Sequence, residues 1–246
     1  MIQRDFSIPS AVALIAILIA GGMASGAATL KVCECKACGC QYFSIQEAID
    51  IASPGDVVLV RSGTFSGNVN VTKPIVLRGE MWHGGDLPLI NAQGNGSCIT
   101  VNADGAVVDK MRVTNSGNLS GDAGIQVQSN NCTITSNIAS GNGGSGIILV
   151  GARNCTLRGN TVSNNTVGIL LTNSADNLVF NNRLYNNTDM DAFDDGVNLW
   201  NDGAIGNHYS SFNCTDLNND TICDVIVNAV FAIPGGGSID DLPLVV

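Results

Sequence analysis

The sequence predicts an all-β chain wound as one parallel β-helix, and three observations carry that prediction. The stretches GIQVQSNNCTITSN, GIILVGARNCTLRGN and GILLTNSADNLVFNN begin at Gly124, Gly146 and Gly168, two steps of 22 residues, and Asn137, Asn160 and Asn182 recur with them. Each unit holds short apolar alternations such as Ile147 to Leu149 and Cys155 to Leu157, separated by Gly or Asn, so each reads as two or three strands joined by tight turns. A period near 22 is one coil of a solenoid. The composition agrees: 29 Gly, 13% charged residues and a run from 115 to 188 crowded with Asn, Ser and Thr favour turns over long helices, while 45% hydrophobic residues suffice for a core.

The amino terminus MIQRDFSIPSAVALIAILIAGGMASGAATL has Arg4 in a short polar start, an apolar core from Ala11 to Ala20 and small residues from Ala24 to Ala28. Residues 1–28 are expected to be a secretory signal. The alternative is an uncleaved anchor, but the apolar core is about half of the ~20 residues that a spanning helix needs, so no stable transmembrane span is expected after removal. Residues 29–41 form a cysteine-rich segment, CECKACGC, with Cys33, Cys35, Cys38 and Cys40. Four thiolates would suit zinc, yet the spacing is tighter than two separated knuckles, and export favours disulfides. Cys33 makes a poor lipid attachment site because Lys31 and Val32 stand where small residues are expected.

The β-helix is placed at 42–212. It opens with an amphipathic helix: Ser44 is the cap, Ile45, Ala48, Ile49 and Ala52 share one face, and Pro54-Gly55 is the stop. Laid over the first coil, such a helix shields the end that a solenoid must protect. Strands follow at Val57 to Val60, Val69 to Val71, Ile75 to Leu77, Cys98 to Val101 and Val107 to Val113, less regular than the later coils. Inward side chains then stack on their equivalents about 4.8 Å away, and turn asparagines form hydrogen-bonded ladders. Cys132 and Cys155 occupy equivalent places, where one rung of separation allows either a disulfide or a buried thiol stack. Residues 213–246 are expected to be an acidic loop and cap. Their apolar end, Leu242 to Val246, should be buried against the helix or against a neighbouring chain.

Charge narrows the partners. A formal net charge of −10, with eleven scattered basic residues, excludes a nucleic-acid binder and favours cations. In CTDLNNDTICD, the side chains of Asp216, Asn218, Asp220 and Asp224 and the carbonyl of Ile222 fall at alternating positions that suit a hard cation, calcium, within a loop closed by a disulfide between Cys214 and Cys223. A solvated acidic turn is the alternative. Asp189, Asp191, Asp194 and Asp195 in TDMDAFDD could supply acid and base for glycosidic cleavage if two sat roughly 5 to 9.5 Å apart. Between Ala123 and Thr188 the only carboxylate is Asp176, so no acid pair can line those coils. With nine cysteines one remains over, and Cys98 is the candidate free or intermolecular thiol. Sequons at Asn70, Asn95, Asn118, Asn131, Asn154, Asn164, Asn186, Asn213 and Asn219 point to an N-glycosylated surface protein, although turn-rich coils also generate such triplets.

YFSIQEAIDIASPGDVVLVRSGTFSGNVNVTKPIVLRGE resembles the opening of pectin-lyase-like right-handed β-helix proteins, and residues 106–188 resemble their short repeats. The stretch from NNTDMDAFDDGVNLWNDG to the carboxyl terminus resembles the end of the NosD-like branch, the carbohydrate-binding and sugar-hydrolysis type common in archaeal surface proteins. The resemblance spans about residues 42–246. It implies right-handed winding and leaves activity open, because the fold hosts lyases, hydrolases, binding modules and structural proteins. Relatives read D-x-D-x-D-G-I-x-D in the acidic loop, whereas Asn218 and Thr221 depart from that pattern here. The DDG of Asp194-Asp195-Gly196 is similar to polygalacturonases, but their His-Gly and Arg-x-Lys elements are missing. Copper, implied by the NosD name, would have only His83 and His208, neither in a ligand motif. The expected protein is therefore secreted or cell-surface, calcium-stabilised, and structural or carbohydrate-binding, with envelope polysaccharide or glycan as partner and self-assembly into a sheath or fibre as a narrower form. A polysaccharide lyase or glycoside hydrolase using the Asp189 to Asp195 cluster is the alternative.

Overall fold

The computed structural model describes residues 26–35, 38–212, 215, 221–223 and 231–245. The expected signal, 1–28, lies almost wholly outside them.

Three parallel sheets wrap one core. The first has eight strands, from Thr29–Val32 to Val197–Leu199; the second has seven, from Thr64–Ser66 to His208–Tyr209; the third has six, from Val69–Val71 to Met190–Asp194. The chain visits them in rotation. This gives six complete three-strand coils and a seventh that lacks its third strand. Most strands have only three residues, because most corners carry a residue in the left-handed region that turns the backbone at once. Asn serves at many of these corners, since its short polar side chain tolerates that region better than other non-glycine residues.

Registers run without slip through the middle coils. In the first sheet Val58, Leu77, Val108, Ile134, Leu157 and Val179 pair in succession. All six are fully buried, and each contributes roughly 1.5 to 3 kcal/mol relative to exposure. In the third sheet Val71, Val101, Val127, Leu149 and Leu171 form a second column. The glycine repeat has a steric cause: a Cβ on Gly124 would sit 2.7 Å from the carbonyl oxygen of Gly146, and one on Gly146 would sit 3.0 Å from that of Gly168. Consecutive coils approach there too closely for any side chain.

The helix Ile45–Ile51 forms as expected, with the Ser44 hydroxyl accepting from Glu47 N at 3.3 Å and Ile45, Ala48 and Ile49 buried over the first coil. The β-helix begins earlier than residue 42. Thr29–Val32 pairs with Val57–Val60, because Leu30 and Val32 alternate inward, so the cysteine-rich segment contributes a strand of its own. The single stretch read at Val107 to Val113 is two strands, Val107–Asp109 and Arg112–Thr114, bent apart at Lys110, whose φ is 57°.

The two ends differ. At the amino-terminal end the outer edge of Thr29–Val32 is covered: Gln41 Oε1 accepts from Lys31 N at 3.0 Å, Lys31 O from Tyr42 N at 3.1 Å, and Tyr42 O from Cys33 N at 3.1 Å. Disulfides Cys33–Cys40 and Cys35–Cys38 hold this turn closed. At the other end the tail folds back. Pro234 O accepts from Asp194 N at 2.8 Å over the third sheet, and Leu244 N donates to Asn207 O at 2.8 Å over the second. Val197–Leu199, the last strand of the first sheet, has no strand beyond it among the described residues, and Val197 and Leu199 are 79% and 66% exposed.

Candidate functional site

The acidic cluster lies where the regular coils stop, and its geometry follows from the asparagines above it. Along the corner between the first and second sheets, Asn137 Nδ2 donates to Asn160 Oδ1 at 3.1 Å, Asn160 to Asn182 at 2.9 Å and Asn182 to Asn207 at 2.9 Å. Each Oδ1 also accepts the backbone N–H of the preceding ladder residue, at 3.0 Å in all three cases. The second amide proton returns to a carbonyl of an earlier coil, as from Asn160 to Ile134 O at 2.9 Å. Every polar atom of these buried side chains is thereby satisfied.

Such a ladder has a direction. Its oxygens face the amino-terminal end and its N–H groups the carboxyl-terminal end, so the last amide must find an acceptor, and a carboxylate is acceptor-only. Asp240 closes this ladder: its Oδ2 accepts from Asn207 N at 2.7 Å, Asn207 Nδ2 at 3.3 Å and Tyr209 Oη at 3.1 Å. At the next corner Asn142, Asn165 and Asn187 lead to Asp191 Oδ1, which accepts from Asn187 Nδ2 at 2.9 Å. At the third corner Asn177 and Asn198 lead to Asp194 Oδ1, which accepts from Asn198 Nδ2 at 2.8 Å, while Asp194 Oδ2 takes Trp200 Nε1 at 2.9 Å. Three ladders therefore end on three buried aspartates.

This arrangement decides what the four candidate acids can do. Asp194 is fully buried, in register with Leu171 at the foot of an apolar column. Asp191, 4% exposed, takes Ser211 Oγ at 3.0 Å and Ser211 N at 3.2 Å on its other oxygen. The two are three residues apart on one strand, about 10 Å of backbone, and point into different ladders. Asp195 is exposed but accepts from Thr172 Oγ1 at 2.8 Å and Asn173 N at 2.6 Å, and Asp189 faces solvent. Nothing places two of them across a common substrate. Asp176 pairs with Arg153 at 3.3 Å on the surface.

Burial dominates the shifted groups nearby. Desolvation pushes Asp240 up to about 6, against the pull of its donors, and desolvation with the adjacent Asp240 raises Tyr209 well above the ordinary phenol range. His208 is lowered by burial and then by Arg183, and its Nδ1 has no hydrogen-bond partner among the described residues.

Cys132 and Cys155 are held as thiols. They extend the third ladder upward: Cys155 Sγ accepts from Cys132 N at 3.4 Å, as an asparagine oxygen would, and Cys155 N donates to Asn177 Oδ1 at 2.8 Å. The bond from Cys155 pulls Cys132 down to about 7, while the reciprocal bond drives Cys155 upward. Cys98 is a fully buried thiol, raised to about 11 by burial, which removes it as an intermolecular crosslink. Cys223 is disulfide-bonded. Of the calcium loop, Ile222 is described and bridges to Leu244, whereas Asp216, Asn218, Asp220, Asp224 and Cys214 lie outside the described residues, as do the sequons at Asn213 and Asn219. The other seven sequon asparagines are all exposed.

Sequence reasoning found the first ladder and missed the other two and all three carboxylate ends. The signal was present: Asn142, Asn165 and Asn187 follow Asn137, Asn160 and Asn182 by five residues each.

Against solved structures, the chain is similar to the pectate lyase Pel9A, with a TM-score of 0.57 and 16% identity over 72% of this chain. It spans 54% of that lyase, and the likeness shows the right-handed β-helix fold. It is also similar to a pectin methylesterase from Aspergillus niger in deglycosylated form, at a TM-score of 0.40 and 13% identity, covering 76% of this chain and 73% of that one. No curated protein matches in sequence. The family described as periplasmic copper-binding protein (NosD) matches residues 89–214. Its name raises copper, which the donors among the described residues do not fit. His83 lies in the loop after the second coil's first strand and His208 in the last coil, the three free thiols face the interior, and no three His, Cys, Asp or Glu side chains converge among the described residues. Matched over half its length, with the β-helix that the match implies, the chain belongs to the NosD family.

Proposed function

We propose that the chain is an exported cell-envelope β-helix with a structural or carbohydrate-binding role, and not a polysaccharide-cleaving enzyme. The observation that carries this reading is the use of the acidic cluster as ladder ends: Asp191 and Asp194 are buried and fully hydrogen-bonded, and the regular coils hold no second carboxylate beside Asp176. A general acid must reach the leaving oxygen, and a nucleophile must reach the sugar. Neither buried carboxylate can reach a bound chain.

Export is supported by the periplasmic description of the family, by the two disulfides, and by the amino-terminal sequence. Among the described residues no helix is long and apolar enough to cross a membrane. The exposure of seven sequons supports glycosylation. Calcium in the 216–224 loop belongs to the same proposal on sequence grounds, and addition of calcium to chelated protein should raise the melting temperature. Self-assembly would use the strand edge Val197–Leu199, which has no strand beyond it among the described residues, and Val197→Lys should abolish it in sedimentation measurements.

The enzymatic alternative is tested by incubating the protein with pectate, xylan and mannan. We expect neither reducing ends nor unsaturated sugars. Release of either, lost in Asp189→Asn or Asp195→Asn, would overturn the reading.

A further inference from the structure

The amino-terminal end holds a cavity of about 240 Å³ between the capping segment and the first coil. Two aromatic side chains line it: Phe43, 39% exposed, and Phe65, partly packed against the core. Glu34, Ser66 and Asn68 supply its polar side. Glu34 Oε2 is fixed by Thr64 N at 3.1 Å. Asn68 donates both amide protons to the carbonyls of Asn95 and Ser97, at 2.7 and 2.6 Å, which turns its Oδ1 the other way. The Ser66 hydroxyl and Asn68 Oδ1 have no partner among the described residues, so this wall offers hydrogen-bonding capacity that the fold leaves unused.

A flat apolar surface beside a few fixed polar atoms is the make-up of a small-ligand site. A pyranose ring matches it, since its C–H face packs on an aromatic ring while its hydroxyls both donate and accept. Charge then selects among sugars. The described lining has no Lys or Arg, it includes the Glu34 carboxylate, and the chain carries a net charge of −10. A uronate would meet repulsion without a counter-charge. Resting on the carbohydrate-binding reading above, we infer that this cavity binds an uncharged hexose unit of a neutral polysaccharide, stacked on Phe43 and hydrogen-bonded by Glu34, Ser66 and Asn68. This is the opposite charge preference from a pectate site.

The test is calorimetric titration of the full exported protein with cellohexaose, mannohexaose and polygalacturonate. At least one neutral hexasaccharide should bind, and polygalacturonate should bind at least tenfold more weakly. Phe43→Ala should weaken the neutral ligand tenfold or more with an unchanged melting temperature. Ser66→Arg, at an exposed position, should block the cavity by bulk in case Phe43→Ala perturbs the end. Tighter binding of polygalacturonate would overturn the inference. Neutral binding untouched by both variants would overturn the site while leaving the carbohydrate-binding reading intact, and failure of every glycan to bind would remove both.

Discussion

At the residue scale the coils follow a local grammar, in which a left-handed residue turns the chain, the next residue enters a ladder, and a strand begins. Ser136, Gly159 and Asn181 precede Asn137, Asn160 and Asn182 in this way, and Gly141, Asn164 and Asn186 precede Asn142, Asn165 and Asn187, all with positive φ. Asn131 and Asn154 precede Cys132 and Cys155, with Thr133 and Thr156 opening the strands. Four of the sequons are therefore products of turn grammar, exposed because the turn is exposed. Asn154→Gly should change stability by no more than about 0.5 kcal/mol, since glycine accepts a φ of 55° freely, whereas Asn154→Val should cost about 1 to 2 kcal/mol. Urea unfolding separates the two. Inside the ladder the cost rises. Asn160→Ala leaves Asn137 N and one of the two Asn137 Nδ2 protons without their acceptor, and should lower stability by roughly 2 to 4 kcal/mol.

At the element scale the carboxyl-terminal hairpin, Phe231–Ala232 with Ile239–Asp240, is tied to the last coil through Asp240. The groups facing Asp240 are Asn207 and Tyr209 of the coil and Leu242 N of its own tail. Its carboxyl is raised, by burial, from the ordinary aspartate value to about 6. A raised folded-state value means that the folded hairpin holds the proton more tightly than the open one. The stabilisation is therefore complete below about pH 4 and is lost as pH rises through about 6, an effect of at most about 2 to 3 kcal/mol. Hydrogen exchange of the hairpin amides should quicken between pH 4 and 7 beyond the intrinsic rate change, and Asp240→Asn should flatten that excess. An unchanged excess in the variant would show that another group controls the hairpin.

Much of this scale was legible in sequence. The helix, with its cap at Ser44 and its face of Ile45, Ala48 and Ile49, follows from local chemistry alone, and the coil period follows from the glycine steps. The strand Thr29–Val32 was hidden because its pairing partner lies 28 residues away, and the corner at Lys110 was hidden because nothing in a lysine announces a left-handed turn. The carboxylate ends were hidden for a similar reason: an acidic run reads as a ligand cluster until the topology shows which donors reach it. Asp240 in particular meets Asn207 across 33 residues of chain.

At the scale of the whole molecule, the β-helix is a stack whose ends need different treatment. The amino-terminal edge is sealed by Gln41, Tyr42 and two disulfides, and the carboxyl-terminal end is covered over two sheets, with no strand beyond the last one of the other sheet among the described residues. Its interior carries polar ladders as well as apolar columns, and the aspartates end those ladders without leaving a donor unmatched. The central claim is that the acidic cluster is architectural, and thermal unfolding of four single variants tests it most directly. Asp191→Asn and Asp194→Asn place an amide where only acceptors fit, and should each lose about 1 to 3 kcal/mol. Asp189→Asn, at an exposed position, should lie within about 0.5 kcal/mol of the parent, and Asp195→Asn, which weakens two surface hydrogen bonds, should lose no more than about 1 kcal/mol. Parent-like melting of Asp191→Asn and Asp194→Asn, accompanied by loss of a sugar-releasing activity, would contradict the account.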